Sequence, residues 1–259
     1  MMMLRKILVL VCLLALVRTA SAQTLRVAAA SDLQFAMNDL ASQFEKKTGT
    51  KVAVSYGSSG NFRAQIQNGA PFDLFFSADA QYPQQLVSAG VADGQSLSIY
   101  GQGRLVLWAP AGANLHLAEK GFEVLKNSRV EKIAIANPEH APYGRAAVEA
   151  LQKAGFYDQI RCKLVFGENI SQAAQFAQSG SAQVGILALS LTFAESMKGG
   201  ERWEVPADLY TPLQQAAVIV TSSTNRAAAS AFLEFVKGEE GRKILAGYGL
   251  APAGPPQKP

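Results

Sequence analysis

The chain has 259 residues, with 24 Lys plus Arg against 20 Asp plus Glu, and only 17% of its residues are charged. Soluble proteins average roughly 25%, and the balance argues against disorder and against a coiled coil. Arg5 and Lys6 precede an apolar run from Ile7 to Val17, and Ala20-Ser21-Ala22 follows as a small-residue cleavage pattern, so residues 1–22 read as a secretory signal peptide. The run is about half of the roughly 20 residues that a spanning helix needs, and no later segment is long and apolar enough to insert in a membrane. Without Arg5, Lys6 and Arg18, 21 basic residues face 20 acidic ones, a net charge of +1. The basic character thus belongs mostly to the leader, and a nucleic-acid partner loses its main support. Cys12 lies in the leader, where Val11 replaces the small residue expected before a lipidated cysteine. Cys162, left alone, has no intrachain disulfide partner and reads as a half-buried strand residue rather than a reactive thiol.

Short apolar runs then alternate with segments of helical period. Leu25–Ala30 reads as a strand, Leu33, Ala36, Met37, Leu40 and Phe44 as one helix face, Val52–Tyr56 as a strand, Phe62–Gln67 as a helix and Asp73–Phe76 as a strand. Ser96–Pro110 is long and β-like. The alternation resumes with a strand at Lys132–Ala136, a helix from Pro142 to Lys153, a strand at Lys163–Phe166, a helix at Ile170–Gln178 and a strand at Gln183–Leu187. Gln215–Val220 reads as another strand, followed by helices at Ala227–Val236 and Glu239–Tyr248, and a proline-rich tail from Ala251. The expected fold is α/β, with two domains that are each a mainly parallel sheet flanked by helices. Ser96–Pro110 and Gln215–Val220 are expected to cross between them. The expected division is residues 23–102 with 222–259 as a discontinuous domain 1 and 103–221 as domain 2, joined by a hinge over a cleft.

Four strand-to-helix turns carry the chemistry, because in parallel sheets these loops lie together at the carboxyl ends of the strands. Ala28-Ala29-Ala30-Ser31-Asp32-Leu33-Gln34 has the Ser31 to Gln34 spacing of a capping box. Tyr56-Gly57-Ser58-Ser59-Gly60-Asn61-Phe62 supplies hydroxyls beside glycines. In the second half, Asn137-Pro138-Glu139-His140-Ala141-Pro142-Tyr143-Gly144 starts a helix at Pro142 and leaves the N–H groups of Tyr143 and Gly144 as free donors. Gly167-Glu168-Asn169-Ile170-Ser171-Gln172 opens another helix, capped by Asn169, with the Ile170 N–H free. Helix N-termini and neutral donors suit a small anion. No Lys or Arg lies within these four motifs, so such an anion would be held by dipoles and hydrogen bonds.

At these residues, together with Gln65-Ile66, Gly69–Asp79 and Tyr248-Gly249, the chain resembles the periplasmic molybdate-binding proteins of ABC importers, of the type II solute-binding fold. The likeness spans essentially the whole chain after the leader. It implies molybdate, and with it tungstate, held by Ser31 and Ser59 and by the backbone N–H groups of Tyr143 and Ile170. It also implies delivery to an ABC permease with its ATPase subunit, no cofactor, no catalytic residue, and molybdenum only within the bound oxyanion, never as a bare cation. Some members add a tyrosine where this chain has Ala188, and the Tyr143 side chain is a candidate substitute. The expected protein is a periplasmic monomer.

Sulfate or another tetrahedral oxyanion is the alternative ligand, since it would use the same donors. A periplasmic serine hydrolase, with Ser58 or Ser59 as nucleophile and His116 or His140 as base, is a distant rival, because Gly57-Ser58-Ser59-Gly60 lacks the spacing of a nucleophile elbow. His140 reads as a residue that caps or packs in its own loop and His116 as exposed. Asp73 and Asp79 read as turn or cap residues rather than calcium ligands.

Overall fold

The computed structural model describes residues 24–252; the expected signal peptide, Cys12 and the tail beyond residue 252 lie outside the described residues. Among the described residues ten strands run in chain order: β1 (Leu25–Ala30), β2 (Val52–Gly57), β3 (Leu74–Ser77), β4 (Ser98–Gly103), β5 (Leu105–Ala109), β6 (Ile133–Ala136), β7 (Leu164–Gly167), β8 (Val184–Ala188), β9 (Glu201–Glu204) and β10 (Leu213–Ile219). The α-helices are α1 (Gln34–Thr48), α2 (Ser59–Gln67), α3 (Gln81–Ser88), α4 (Leu117–Lys120), α5 (Pro142–Lys153), α6 (Tyr157–Ile160), α7 (Ile170–Gln178), α8 (Arg226–Lys237) and α9 (Glu239–Gly247). The strands form two five-stranded sheets, ordered β2-β1-β3-β10-β4 and β7-β6-β8-β5-β9.

Each sheet has a parallel half and an antiparallel half. In the first lobe β1 pairs in parallel with β2 and β3, while β10 runs antiparallel between β3 and β4. In the second lobe β6 pairs in parallel with β7 and β8, and β5 runs antiparallel between β8 and β9. The parallel strands are separated by helices because a parallel return needs a crossover. Their near-continuous apolar sequences, such as LFFS in β3 and IAIA in β6, are those of strands covered on both faces.

The stripe Leu33, Ala36, Met37, Leu40 and Phe44 is buried along its whole length. With α8 and α9 it covers one face of the first sheet, where Phe44, Phe76 and Phe232 pack edge to face. Burial of each large side chain contributes about 1.5–3 kcal/mol. A smaller cluster around Phe62, Ile66, Phe75 and Leu86 fills the opposite face under α2 and α3. The second lobe has its own core, and Ala30 and Ala78, at the ends of β1 and β3, pack into it across the cleft.

The chain crosses to the second lobe at Arg104, between β4 and β5, and returns between β9 and β10. Gln215–Val220, placed by the expected division within residues 103–221, is instead a strand of the first sheet. Its apolar sequence is that of a central strand, and its partners β3 and β4 are far away in the chain. Cys162 also departs from expectation: it sits in a 3-10 turn, Arg161–Lys163, and is exposed. Strand β7 begins only at Leu164.

Candidate functional site

From β1 the chain enters a 3-10 turn, Ser31–Leu33, before α1 begins. The Gln34 N–H is satisfied by the Ser31 carbonyl, and no side chain caps the helix, so the capping box does not form. This leaves the buried Ser31 hydroxyl free to cross the cleft. It donates to Asn169 Oδ1 at 3.1 Å and accepts from the Ser171 N–H at 3.3 Å.

At the next turn Ser58 is the helix cap, with an extended backbone and its Oγ accepting from the Asn61 N–H at 3.4 Å. Ser59 is the first residue of α2 and is 1% exposed. Its Oγ accepts from the Ala78 N–H at 3.0 Å, which leaves the hydroxyl proton available to another acceptor.

In the second lobe Pro142 occupies the first turn of α5. The Gly144 N–H, expected to be free, donates to the Ala141 carbonyl at 3.0 Å because the first turn tightens on itself. The Tyr143 N–H has no acceptor among the described residues. Asn169 caps α7 as expected, its Oδ1 accepting from the Gln172 N–H at 3.0 Å. The Ile170 N–H likewise has no acceptor among the described residues.

All four sequence-predicted residues, Ser31, Ser59, Tyr143 and Ile170, line one small cavity of about 10 Å³. That is about the space for the centre of one water molecule. Among the described residues no Lys or Arg lines it, and Asp32 is its one acidic side chain. The N-termini of α2, α5 and α7 contribute partial positive charge at its wall. Larger grooves of about 400 and 370 Å³ lie elsewhere, but charges along them are already paired, Asp93 with Arg226, Glu234 with Lys237 and Asp79 with Arg145.

Contacts across the cleft hold the lobes closed. His140, expected to stay within its own loop, places Nδ1 2.9 Å from Ser58 Oγ, and its carbonyl accepts from the Gly60 N–H at 2.9 Å. Gly60 is needed there, since a Cβ would lie 2.7 Å from that carbonyl oxygen. Glu168 approaches His140 Nε2 at 3.7 Å and accepts from the Asn61 amide. Arg145 bonds the Tyr82 hydroxyl at 2.9 Å and pairs with Asp79. Ser171 Oγ donates to the Ser31 carbonyl at 2.9 Å, and Ser190 Oγ to the Asp32 carbonyl at 2.7 Å. Ser58, His140 and Glu168 thus make a Ser-His-carboxylate line, but its members come from opposite lobes and Ser58 serves α2 as its cap.

Behind the cavity Asp32, Tyr143 and Gln215 form a buried polar cluster. Gln215 Nε2 donates to Asp32 Oδ2 at 2.5 Å and to the Tyr143 hydroxyl at 3.2 Å. Gly103 makes room for the phenol, because a Cβ there would lie 2.2 Å from its oxygen. Burial pushes the Asp32 carboxyl up to about 7, against the opposing pull of the Gln215 and Tyr143 hydrogen bonds. Burial, then the neighbouring Asp32 charge, raise the phenols of Tyr143 and Tyr100 well above their ordinary value. The Tyr143 hydroxyl is therefore committed to this cluster, and Ala188, at the end of β8, is fully buried and outside the cavity lining.

The other candidates have structural roles. Asp73 accepts from the Arg26 N–H at 2.8 Å and from Ser223 and Asn225, and so ties the return segment to the first sheet. Asp79 accepts from the Tyr82 N–H at 3.1 Å near the start of α3, and burial raises its carboxyl despite Arg145. His116 is exposed, in a left-handed backbone conformation. No group of three or more His, Cys, Asp or Glu able to hold a metal ion occurs among the described residues, and none of their helices is long and apolar enough to cross a membrane. Sequence reasoning missed Ser171, Arg145 and Gln215 as cleft residues. Ser171 lay within a motif already singled out, whereas Arg145 and Gln215 carried no local signal.

A family model described as bacterial extracellular solute-binding protein matches residues 25–251. The chain is 42% identical over 231 residues to the molybdate-binding protein ModA of Azotobacter vinelandii, covering 89% of this chain and 90% of that protein. It is 42% identical over 230 residues to the molybdate-binding protein ModA of Rhodobacter capsulatus, covering 89% of each. The solved structure of the Azotobacter vinelandii periplasmic molybdate-binding protein matches with a TM-score of 0.83 at 36% identity, over 90% of this chain and all of that one. With two α/β lobes closed on a donor-lined cleft and a family match from β1 to the residues after α9, the chain belongs to the bacterial extracellular solute-binding proteins.

Proposed function

We propose that this protein captures molybdate, and with it tungstate, in the cleft and hands it to the permease and ATPase of an ABC importer. The observation that carries the reading is the convergence of the Ser31 and Ser59 hydroxyls with the unengaged N–H groups of Tyr143 and Ile170 on one cavity without a Lys or Arg. A fully deprotonated tetrahedral oxyanion offers acceptors on every side and needs nothing but donors. A four-oxygen anion is larger than the closed cavity, so the lobes part to admit it and settle around it, turning about the crossings at Arg104 and between β9 and β10. Ser31 then exchanges Asn169 for an anion oxygen. The identity to two molybdate-binding relatives supports molybdate over sulfate, which would draw on the same donors. The leader at residues 1–22 supports a protein that works in the periplasm.

Four charge-assisted hydrogen bonds of about 1.5–3 kcal/mol each, less the cost of closure, span the roughly −8 kcal/mol of a micromolar complex. Isothermal titration with molybdate, tungstate, sulfate and phosphate at one ionic strength tests the reading. Tight binding of the first two with silent controls is expected. Tight sulfate binding would keep the mechanism and replace the ligand, and silence from all four would remove the oxyanion site.

A further inference from the structure

Asp32 is the one ionisable carboxylate in the wall of a cavity otherwise built for an anion, and its surroundings supply no counter-charge. Its side chain is 1% exposed. Oδ2 accepts from Gln215, while Oδ1 has no hydrogen-bond partner, and neither has Gln215 Oε1. Each of these two buried oxygens thus lacks a donor within hydrogen-bond distance, which is costly for an ionised carboxylate and less so for a neutral one. Burial outweighs the pull of Gln215, Tyr143 and the Asp32 and Leu33 N–H groups on the carboxyl.

The elements packed around it offer no cation. The first turn of α1, all of α7, the 3-10 turn Leu189–Phe193 and strand β10 contain no charged residue. Strand β4 contributes the Tyr100 phenol, and α5 contributes the Tyr143 phenol. The nearest basic side chain along α5 is Arg145, already engaged by Asp79 and Tyr82. Asp79 adds a second carboxylate on this side, and the loop Gly57–Ser59 adds none of either sign.

Resting on the reading of the cavity as an oxyanion site, we propose that Asp32 is a specificity-determining proton carrier: closure around a dianion requires the neutral carboxyl, so each binding event takes up a proton. In the open cleft water reaches the carboxyl and it ionises at ordinary acidity. In the closed cleft it is dry and lies beside a dianion, and both effects favour the protonated form. Burial in the closed arrangement, which pushes the Asp32 carboxyl up to about 7, agrees with this. A group that binds its proton more tightly in the complex makes affinity fall as pH rises through the window between its free and bound values. Its neutral form also leaves the site with donors only, which favours an anion that has no proton of its own to give.

The test is titration of the purified protein with sodium molybdate near pH 7 in imidazole and in Bis-Tris, whose ionisation enthalpies differ. The dependence of the measured heat on the buffer counts the protons exchanged. The expected result is uptake of about half to one proton per anion, with affinity falling by up to about tenfold per pH unit across the window. Asp32→Asn is expected to abolish the uptake, flatten the pH profile and bind more tightly than the natural protein at about pH 8.5. Tight binding with no proton exchange in the natural protein, or uptake that persists in a folded Asp32→Asn variant, would overturn the proposal alone. Silence from molybdate, sulfate and phosphate would overturn the oxyanion reading and this proposal with it. Because the natural protein's proton count decides the matter by itself, a variant that failed to fold would not protect the idea.

Discussion

The two lobes reach the same cavity with different chemistry. The first presents side-chain hydroxyls, Ser31 and Ser59, each set at a strand-to-helix turn and each already holding a backbone N–H of the protein. The second presents main-chain N–H groups at the starts of α5 and α7, where the residue name matters little and the turn geometry matters a great deal. A hydroxyl can be deleted by one substitution, whereas an N–H survives nearly every one. The two halves should therefore respond to mutagenesis in opposite ways, although they line one cavity.

The sharpest way to break the comparison is the double variant Ser31→Ala with Ser59→Ala. Each lost bond to an anion is worth about 1.5–3 kcal/mol, so molybdate affinity by titration calorimetry should fall at least about a hundredfold, and at least about tenfold for Ser31→Ala alone. An unchanged constant for the single variant would remove Ser31 from the site. Gly60→Ala should weaken binding by about tenfold or more through closure rather than contact, because the new Cβ meets the His140 carbonyl of the opposite lobe. Small-angle scattering of the variant with saturating molybdate should then report a more open particle, and a fully closed one would refute the steric argument.

His140→Ala removes the imidazole from Ser58 and Glu168 but leaves the main-chain bond to Gly60. Stopped-flow measurement should show dissociation faster by about three- to tenfold with association unchanged, the usual mark of a lost closed-state contact. The smallest effect on affinity is expected for Ile170→Ala, within about twofold, since its N–H remains. The same change should lower unfolding stability by about 2–5 kcal/mol, because Ile170 is buried in the second core. A large loss of affinity in a folded Ile170→Ala protein would mean that the second lobe grips through side chains after all.

What was legible in the sequence follows the range of the interaction. The α1 stripe and the IAIA strand are written in local periodicity, and both occur where expected. That Ser31, Ser59, Tyr143 and Ile170 line one cavity was legible because strand-to-helix turns of parallel sheets gather at one edge whatever the rest of the chain does. Strand β10 was drawn into the wrong domain because a central strand looks the same in either sheet, and its partners are named only by pairing with residues more than a hundred positions away. Ser31 read as a helix cap because spacing cannot reveal that a 3-10 turn has already satisfied Gln34. Asp32 read as part of a helix start for the same reason. Its isolation depends on what five other elements lack, which no local motif can state.

The position of β10 also bears on how the protein comes to exist. The second lobe is one unbroken stretch of chain, and its sheet can be assembled from what lies between Arg104 and the end of β9. The first sheet cannot be closed until β10 is inserted between β3 and β4, a pairing that joins residue 216 to residue 77. Such a pairing is of high sequence separation, so the first sheet depends on chain that follows the whole of the second lobe, whereas the sheet of the second lobe does not depend on β10. The hydroxyl half of the cavity edge is thus built on a sheet that needs both ends of the chain, and the N–H half on one that needs only its middle.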